Sequence, residues 1–259
     1  MTAADTVLHT YGVVASPDVP LPAAGIAGTP VETLDLGGLA VVIGWLPADR
    51  YGPEQWEEHG QDPRWLEPLA REHHEVLQAL CNDPAAGDVV PLRLPGIYRD
   101  MDAVRETLLP RTADLRQAWE DIVGHAEWGV KIFLAHPAQA RPEPAASTGR
   151  DYLRQRSEAV TARETSRERR HQLVSDAYAA VTHAATRSCV NPPQDRVLTG
   201  RSEPMLHNSA HLVRRTEQER FFAALAQASD LLAPDGMVVE VSGPWPPYSF
   251  ARLEGQARP

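Results

Sequence analysis

Between Trp128 and Val241 the hydrophobic period changes in an order that few folds can use. Trp128-Gly129-Val130-Lys131-Ile132-Phe133-Leu134 alternates as a strand does. Leu173, Val174, Ala177, Tyr178, Val181 and Ala185 then recur at helical spacing. Cys189 to Thr199 is a strand candidate interrupted by Pro192-Pro193, and Met205 to Arg214 is a clearer one. Phe221, Phe222, Leu225, Ala228 and Leu232 return to the helical period, and Pro234-Asp235-Gly236 stops it. Met237-Val238-Val239-Glu240-Val241 closes the series as an apolar run of the kind buried on both faces. Strand, helix, strand, strand, helix, strand is the βαββαβ order of a ferredoxin-like sandwich, expected over about Glu127 to Phe250. That fold hosts many unrelated activities, so it decides no function.

The helices of this half carry their own signals. Pro137 to Ser147 is a Pro/Ala-rich linker. Thr148-Gly149-Arg150-Asp151 has the spacing of a capping box, with Asp for the usual Glu, and opens a long helix from about Asp151 to Thr186. Its middle, Thr161 to Gln172, is almost wholly polar and should project into solvent. Thr216-Glu217-Gln218-Glu219 reads as a second capping box.

The first half reads as a separate mixed α+β domain, so the division expected is residues 1–125 and 126–259. Val7 to Val14 is a strand, and Ser16 to Pro22 a proline-rich loop. Val31 to Leu36 and Leu39 to Leu46 flank Gly37-Gly38, a hairpin signal. This is no phosphate loop, because a strand follows where a helix is required. Asp62-Pro63 starts a helix, with apolar positions at Leu66, Leu69, Ala70, Val76, Leu77 and Leu80. Val89 to Leu94 is an edge strand near Pro91. Asp100 to Val123 is helical, interrupted at Pro110.

Bulk properties narrow the function. The net charge of −10 argues against a nucleic-acid binder, and the arginines of Arg163 to Arg170 alternate with glutamates. A ferredoxin-like sheet can stack RNA bases on exposed aromatics, but the final strand has none before its exit. Cys81 and Cys189 lie far apart and have no metal-ligand or redox spacing, so buried thiols in a reducing compartment are expected. There is no signal-peptide pattern and no apolar run near the roughly 20 residues needed to cross a bilayer. The expected location is cytoplasmic, without membrane insertion.

Sites for chemistry are sparse. His73 falls on the apolar stripe of its helix with His74 beside it, but adjacent helical side chains diverge by about 100° and do not easily share one metal. His207 and His211 share a strand face about 13 Å apart. Ser209, Ser242 and Ser249 lack a nucleophile-elbow context. Arg93 and Arg99 could bind an anion, though surface pairing explains them as well. No catalytic residue, cofactor or metal site is expected. The alternatives are a metal- or anion-dependent enzyme using His73, His74 or Arg93, and a regulatory domain binding a small ligand.

The final strand runs into Gly243-Pro244-Trp245-Pro246-Pro247-Tyr248-Ser249-Phe250. Three prolines remove three backbone donors and push their predecessors to extended geometry, so a stiff, extended exit is expected. Its aromatics either close the core or form a rigid ledge for a protein partner, with Trp245, Pro246, Pro247, Tyr248 and Phe250 as candidate contacts.

This string resembles the closing signature of the GvpL/GvpF gas vesicle family. So do, in order, Tyr11-Gly12-Val13-Val14, Ala70 to Leu77, Val90-Pro91-Leu92-Arg93-Leu94, Glu127 to Lys131 and Gly149-Arg150-Asp151-Tyr152-Leu153. Leu94-Pro95-Gly96 departs from the pattern and leaves the L-like or F-like subtype open. The resemblance implies a two-domain α+β accessory protein whose second domain is a modified ferredoxin-like fold. It implies a non-enzymatic role in gas vesicle nucleation and assembly, through contacts with the small apolar shell protein and other accessory proteins.

Overall fold

The computed structural model describes residues 6–135, 149–194 and 200–251. The Pro137–Ser147 linker, Thr148 and the side chain of Asp151 from the first capping box, and 195–199 at the end of a strand candidate lie outside the described residues. The chain divides into two compact units, Met1–Glu127 with Pro244–Pro259, and Trp128–Gly243. The terminal segment therefore groups with the first unit and not with the sandwich it follows in sequence.

The first unit is built on a five-stranded sheet. β1 (Thr6–Val14) lies centrally, with β3 (Ala40–Pro47) on one side and β4 (Val89–Pro91) and β5 (Ile97–Tyr98) on the other. β2 (Val31–Asp35) pairs with β3 as the expected hairpin, closing at Asp35 opposite Ala40. Gly37 and Gly38 take φ of 80° and 98° in the turn, which residues with a Cβ rarely adopt. β4 ends the strand order, as the proline at 91 requires.

β1 carries a bulge between Thr10 and Gly12 in its pairing with β3. The extra residue, Tyr11, shifts the alternation by one, so Val7, Tyr11 and Val14 all reach the same core cluster. The Tyr11 hydroxyl accepts the backbone N–H of Ile26 at 2.9 Å. Gly12 lies against β4 so closely that a Cβ there would sit 2.6 Å from Val89 Cγ2 and 2.9 Å from the Val90 carbonyl oxygen.

After the short helices α1 (Ala48–Tyr51) and α2 (Pro53–His59), α3 (Pro63–Asn82) covers this sheet face. It begins as expected, with Asp62 Oδ1 accepting the N–H of Arg64 at 2.9 Å. Leu69, His73, Val76, Leu77 and Leu80 are buried along one stripe, and Ala70 falls outside it. The predicted helix at 100–123 is broken near Pro110 into α4 (Met101–Leu108), a 3₁₀ turn and α5 (Thr112–Ile122).

The second unit has the βαββαβ order. β6 (His125–Leu134), α6 (Gly149–Thr182), β7 (Arg187–Val190), β8 (Met205–Arg214), α7 (Gln218–Leu232) and β9 (Met237–Trp245) follow in turn, with strand order β7-β8-β6-β9. The two outer strands are thus the second and fourth, the ferredoxin-like arrangement. Val130, Ile132, Val213 and Met237 of the sheet meet Ala177 and Val181 of α6 and Phe221, Leu225 and Leu232 of α7 in one core cluster.

Three local expectations are corrected. β9 is an edge strand, not one buried on both faces: Val238 and Val241 are 43% and 37% exposed. An unbroken apolar run is compatible with either place, and only strand order decides. Thr216 does not cap α7: a 3₁₀ turn at Arg215–Glu217 leads in and no side chain caps the helix. Cys81 and Cys189 are half-buried free thiols rather than buried ones. The polar middle of α6 is exposed as expected, apart from half-buried Arg170.

Candidate protein-docking site

The terminal segment does not leave β9 as an extended ledge. The carbonyl of Pro246 accepts the N–H of Tyr248 at 2.7 Å, and that of Pro247 accepts from Phe250 at 3.1 Å and from Ala251 at 2.9 Å. The segment therefore coils into a tight turn directly after Pro247, whose ring fixes φ near the value a turn needs.

The turn sorts the five candidate residues by direction. Pro246, Pro247 and Phe250 are buried, with Phe250 only 5% exposed. Trp245 and Tyr248 are 38% and 41% exposed and can touch another molecule. Core closure thus holds for Pro246, Pro247 and Phe250, while Trp245 and Tyr248 stay at the surface.

Helix α3 supplies the platform. The His74 ring lies 5.4 Å from Trp245 and 5.9 Å from Tyr248, centroid to centroid, and its Nδ1 is 2.9 Å from the Tyr248 hydroxyl. One turn along, Gln78 Nε2 donates to the Pro244 carbonyl at 3.0 Å. Below the turn, Ser249 donates its N–H and hydroxyl to buried Glu127. Burial, reinforced by Cys81 and by the Glu127 charge, holds the Tyr248 phenol well above its ordinary pKa. Burial also lowers the pKa of His74, which favours the neutral ring. The exposed surface is therefore an uncharged aromatic pair, fixed from behind and able to bury apolar area on contact.

The other candidates separate in the same way. His73 and His74 diverge around α3, as the helix geometry requires. His73 is buried, and its Nδ1 meets Nε2 of buried His9 at 2.9 Å. His73 also bonds the backbone of Leu92. Burial lowers both pKa values, that of His73 to about 4. No local pattern marks His9, whose partner lies 64 residues away. His207 and His211 flank Tyr178, at 4.9 and 6.0 Å between centroids. His211 is held by Ser188 and Ser209 at 2.8 and 2.9 Å, so Ser209 serves a structural bond. Arg93 is exposed, and Arg99 pairs with Asp100 at 2.9 Å. Among the described residues no group of three or more His, Cys, Asp or Glu could hold a metal ion.

Comparison with known proteins decides the family. The sequence pattern of "Gas vesicle synthesis protein GvpL/GvpF" matches residues 7–252. This chain belongs to the GvpL/GvpF family. It is 34% identical over 257 residues to gas vesicle protein L of Streptomyces sp. strain CB03234, covering 96% of this chain and 94% of that protein. Gas vesicle protein F of the same strain is 26% identical, over 93% of this chain and 98% of that one. The crystal structure of GvpF from Anabaena sp. PCC7120 superposes with a TM-score of 0.69 at 18% identity, covering 98% of this chain and 99% of that one. It shares the GvpL/GvpF fold. Membership gives the chain a gas vesicle accessory role. No helix among the described residues is long and apolar enough to cross a membrane.

Proposed function

We propose that this GvpL/GvpF protein binds the small apolar shell protein during gas vesicle nucleation and assembly, using Trp245 and Tyr248 as anchors. The observation that carries this reading is the exposed aromatic pair held against His74. Trp and Tyr in fixed orientation lose little entropy on contact and are the commonest sources of binding energy at protein interfaces. A shell subunit apolar enough to exclude water would self-associate unless covered before assembly. A partner with net charge −10 resists joining the aggregate itself. Other accessory proteins join through further surfaces, and the complex works in the cytoplasm and at the vesicle. The greater identity to the L than to the F protein of one Streptomyces strain supports an L-type assignment.

The experiment is capture of soluble shell protein by the purified chain, with and without the other accessory proteins. Wild type is expected to retain it, and Trp245→Ala with Tyr248→Ala to lose at least about tenfold in affinity while staying folded. Equal capture by the folded double variant would remove the ledge from the reading. No capture by wild type under any combination would end the reading itself.

A further inference from the structure

In the second unit the inward stripe of α6 changes chemistry along its length. Stepping toward the N-terminus in threes and fours gives Val181, Ala177, Val174, Arg170 and Arg167, which share one face. Val181 and Ala177 are buried in the sandwich core, and Val174 packs at its margin. At the end of β6 and the start of β8 the same face presents arginine above Leu134, Met205 and Leu206. The result is a cleft of about 360 Å³ with His171 on its rim.

These two arginines differ from their neighbours. Arg169 is committed to Asp235 through two bonds of 3.0 and 3.2 Å, and Arg201 to Glu240. Arg167 and Arg170 make no ion pair or hydrogen bond among the described residues, and Arg170 is half-buried. A partly desolvated guanidinium without a carboxylate is costly, and its planar fork suits a bidentate carboxylate. The site is a local cationic cleft with an apolar floor on a chain of net charge −10.

We propose that this cleft docks an acidic amphipathic helix of a partner protein. A leucine-type side chain seats on Leu134, Val174, Met205 and Leu206, and carboxylates one turn away meet Arg167 and Arg170. An open cleft buries too little of a free small molecule to hold it well, whereas a helix brings the apolar anchor and the carboxylates already fixed together. The residues of this cleft belong to the second unit, and none of them is among the Trp245 and Tyr248 contacts proposed above.

The test uses the full chain and a fluorescein-labelled peptide about 18 residues long, with leucine along one helical face and glutamate elsewhere, read by fluorescence anisotropy. Saturable binding is expected, weakened by added salt and by at least about tenfold in the Arg167→Glu/Arg170→Glu variant. Thermal unfolding of that variant should not change, because neither side chain bonds to another described residue. Arg64→Glu/Arg71→Glu, the same charge change on exposed α3 positions, should bind as wild type does. Four results would each overturn the proposal: no binding by wild type, an equal loss in the α3 pair, equally tight binding of polyglutamate lacking leucine, or displacement of the peptide by laurate binding more tightly. The last would assign the cleft to a small amphipathic anion.

Discussion

Ser249 donates its backbone N–H and its hydroxyl to the two oxygens of Glu127, at 2.8 and 2.7 Å, across 122 residues of sequence. A buried carboxylate thus fixes the turn that carries Tyr248. Hydrogen bonds to a charged acceptor contribute about 1.5–3 kcal/mol each. Glu127→Ala should therefore lower unfolding free energy by about 3 kcal/mol in urea, and Glu127→Gln, which keeps one good acceptor, by less than about half of that. An unchanged urea midpoint in Glu127→Ala would show that the turn stands without this anchor.

The buried His9–His73 pair makes stability depend on pH. His73 has a folded pKa of about 4 against an ordinary 6.5, so below pH 6.5 the unfolded chain binds the proton that the folded chain refuses. Stability is full above pH 6.5 and falls as pH drops through the window down to about 4. At pH 5 the loss is about 2 kcal/mol for this histidine. His211, also lowered to about 4 by burial and by His207, adds a similar amount. Urea titrations at several pH values check this. His73→Leu should lower stability at every pH but flatten the slope, and an unchanged slope would assign the acid sensitivity elsewhere.

Phe250 and Trp245, five residues apart, should respond differently to truncation. Phe250→Ala empties a buried site and should cost about 3–4 kcal/mol. Trp245→Ala removes a ring already 38% exposed and should cost about 2 kcal/mol. Equal losses in chemical denaturation would make the Trp245 ring a core element instead of a contact surface.

Gly12→Ala tests the close approach of β1 and β4. The new methyl would fall 2.9 Å from the Val90 carbonyl oxygen, and a backbone atom in a sheet cannot step aside as a side-chain tip can. A loss of about 2–3 kcal/mol is expected in thermal or urea unfolding. A neutral result would mean that β4 shifts freely along this edge.

The order of the elements was legible in the residues alone. Asp62-Pro63 announced α3 and Gly37-Gly38 the hairpin because capping and turn chemistry act over a few residues. The βαββαβ order of the second half followed from successive changes of hydrophobic period, and the Gly-Pro-Trp-Pro-Pro-Tyr-Ser-Phe string pointed to the family. The remaining features depend on packing between distant segments. Whether Met237–Val241 was central or at an edge depended on which strands stand beside it, and a short apolar run carries no record of its neighbours. That His74 meets Tyr248 across 174 residues, that His9 meets His73, and that Phe250 turns inward while Trp245 stays exposed all rest on contacts between distant parts of the chain. Local periodicity reports which residues avoid water; it does not report which residue, far along the chain, they meet when they do.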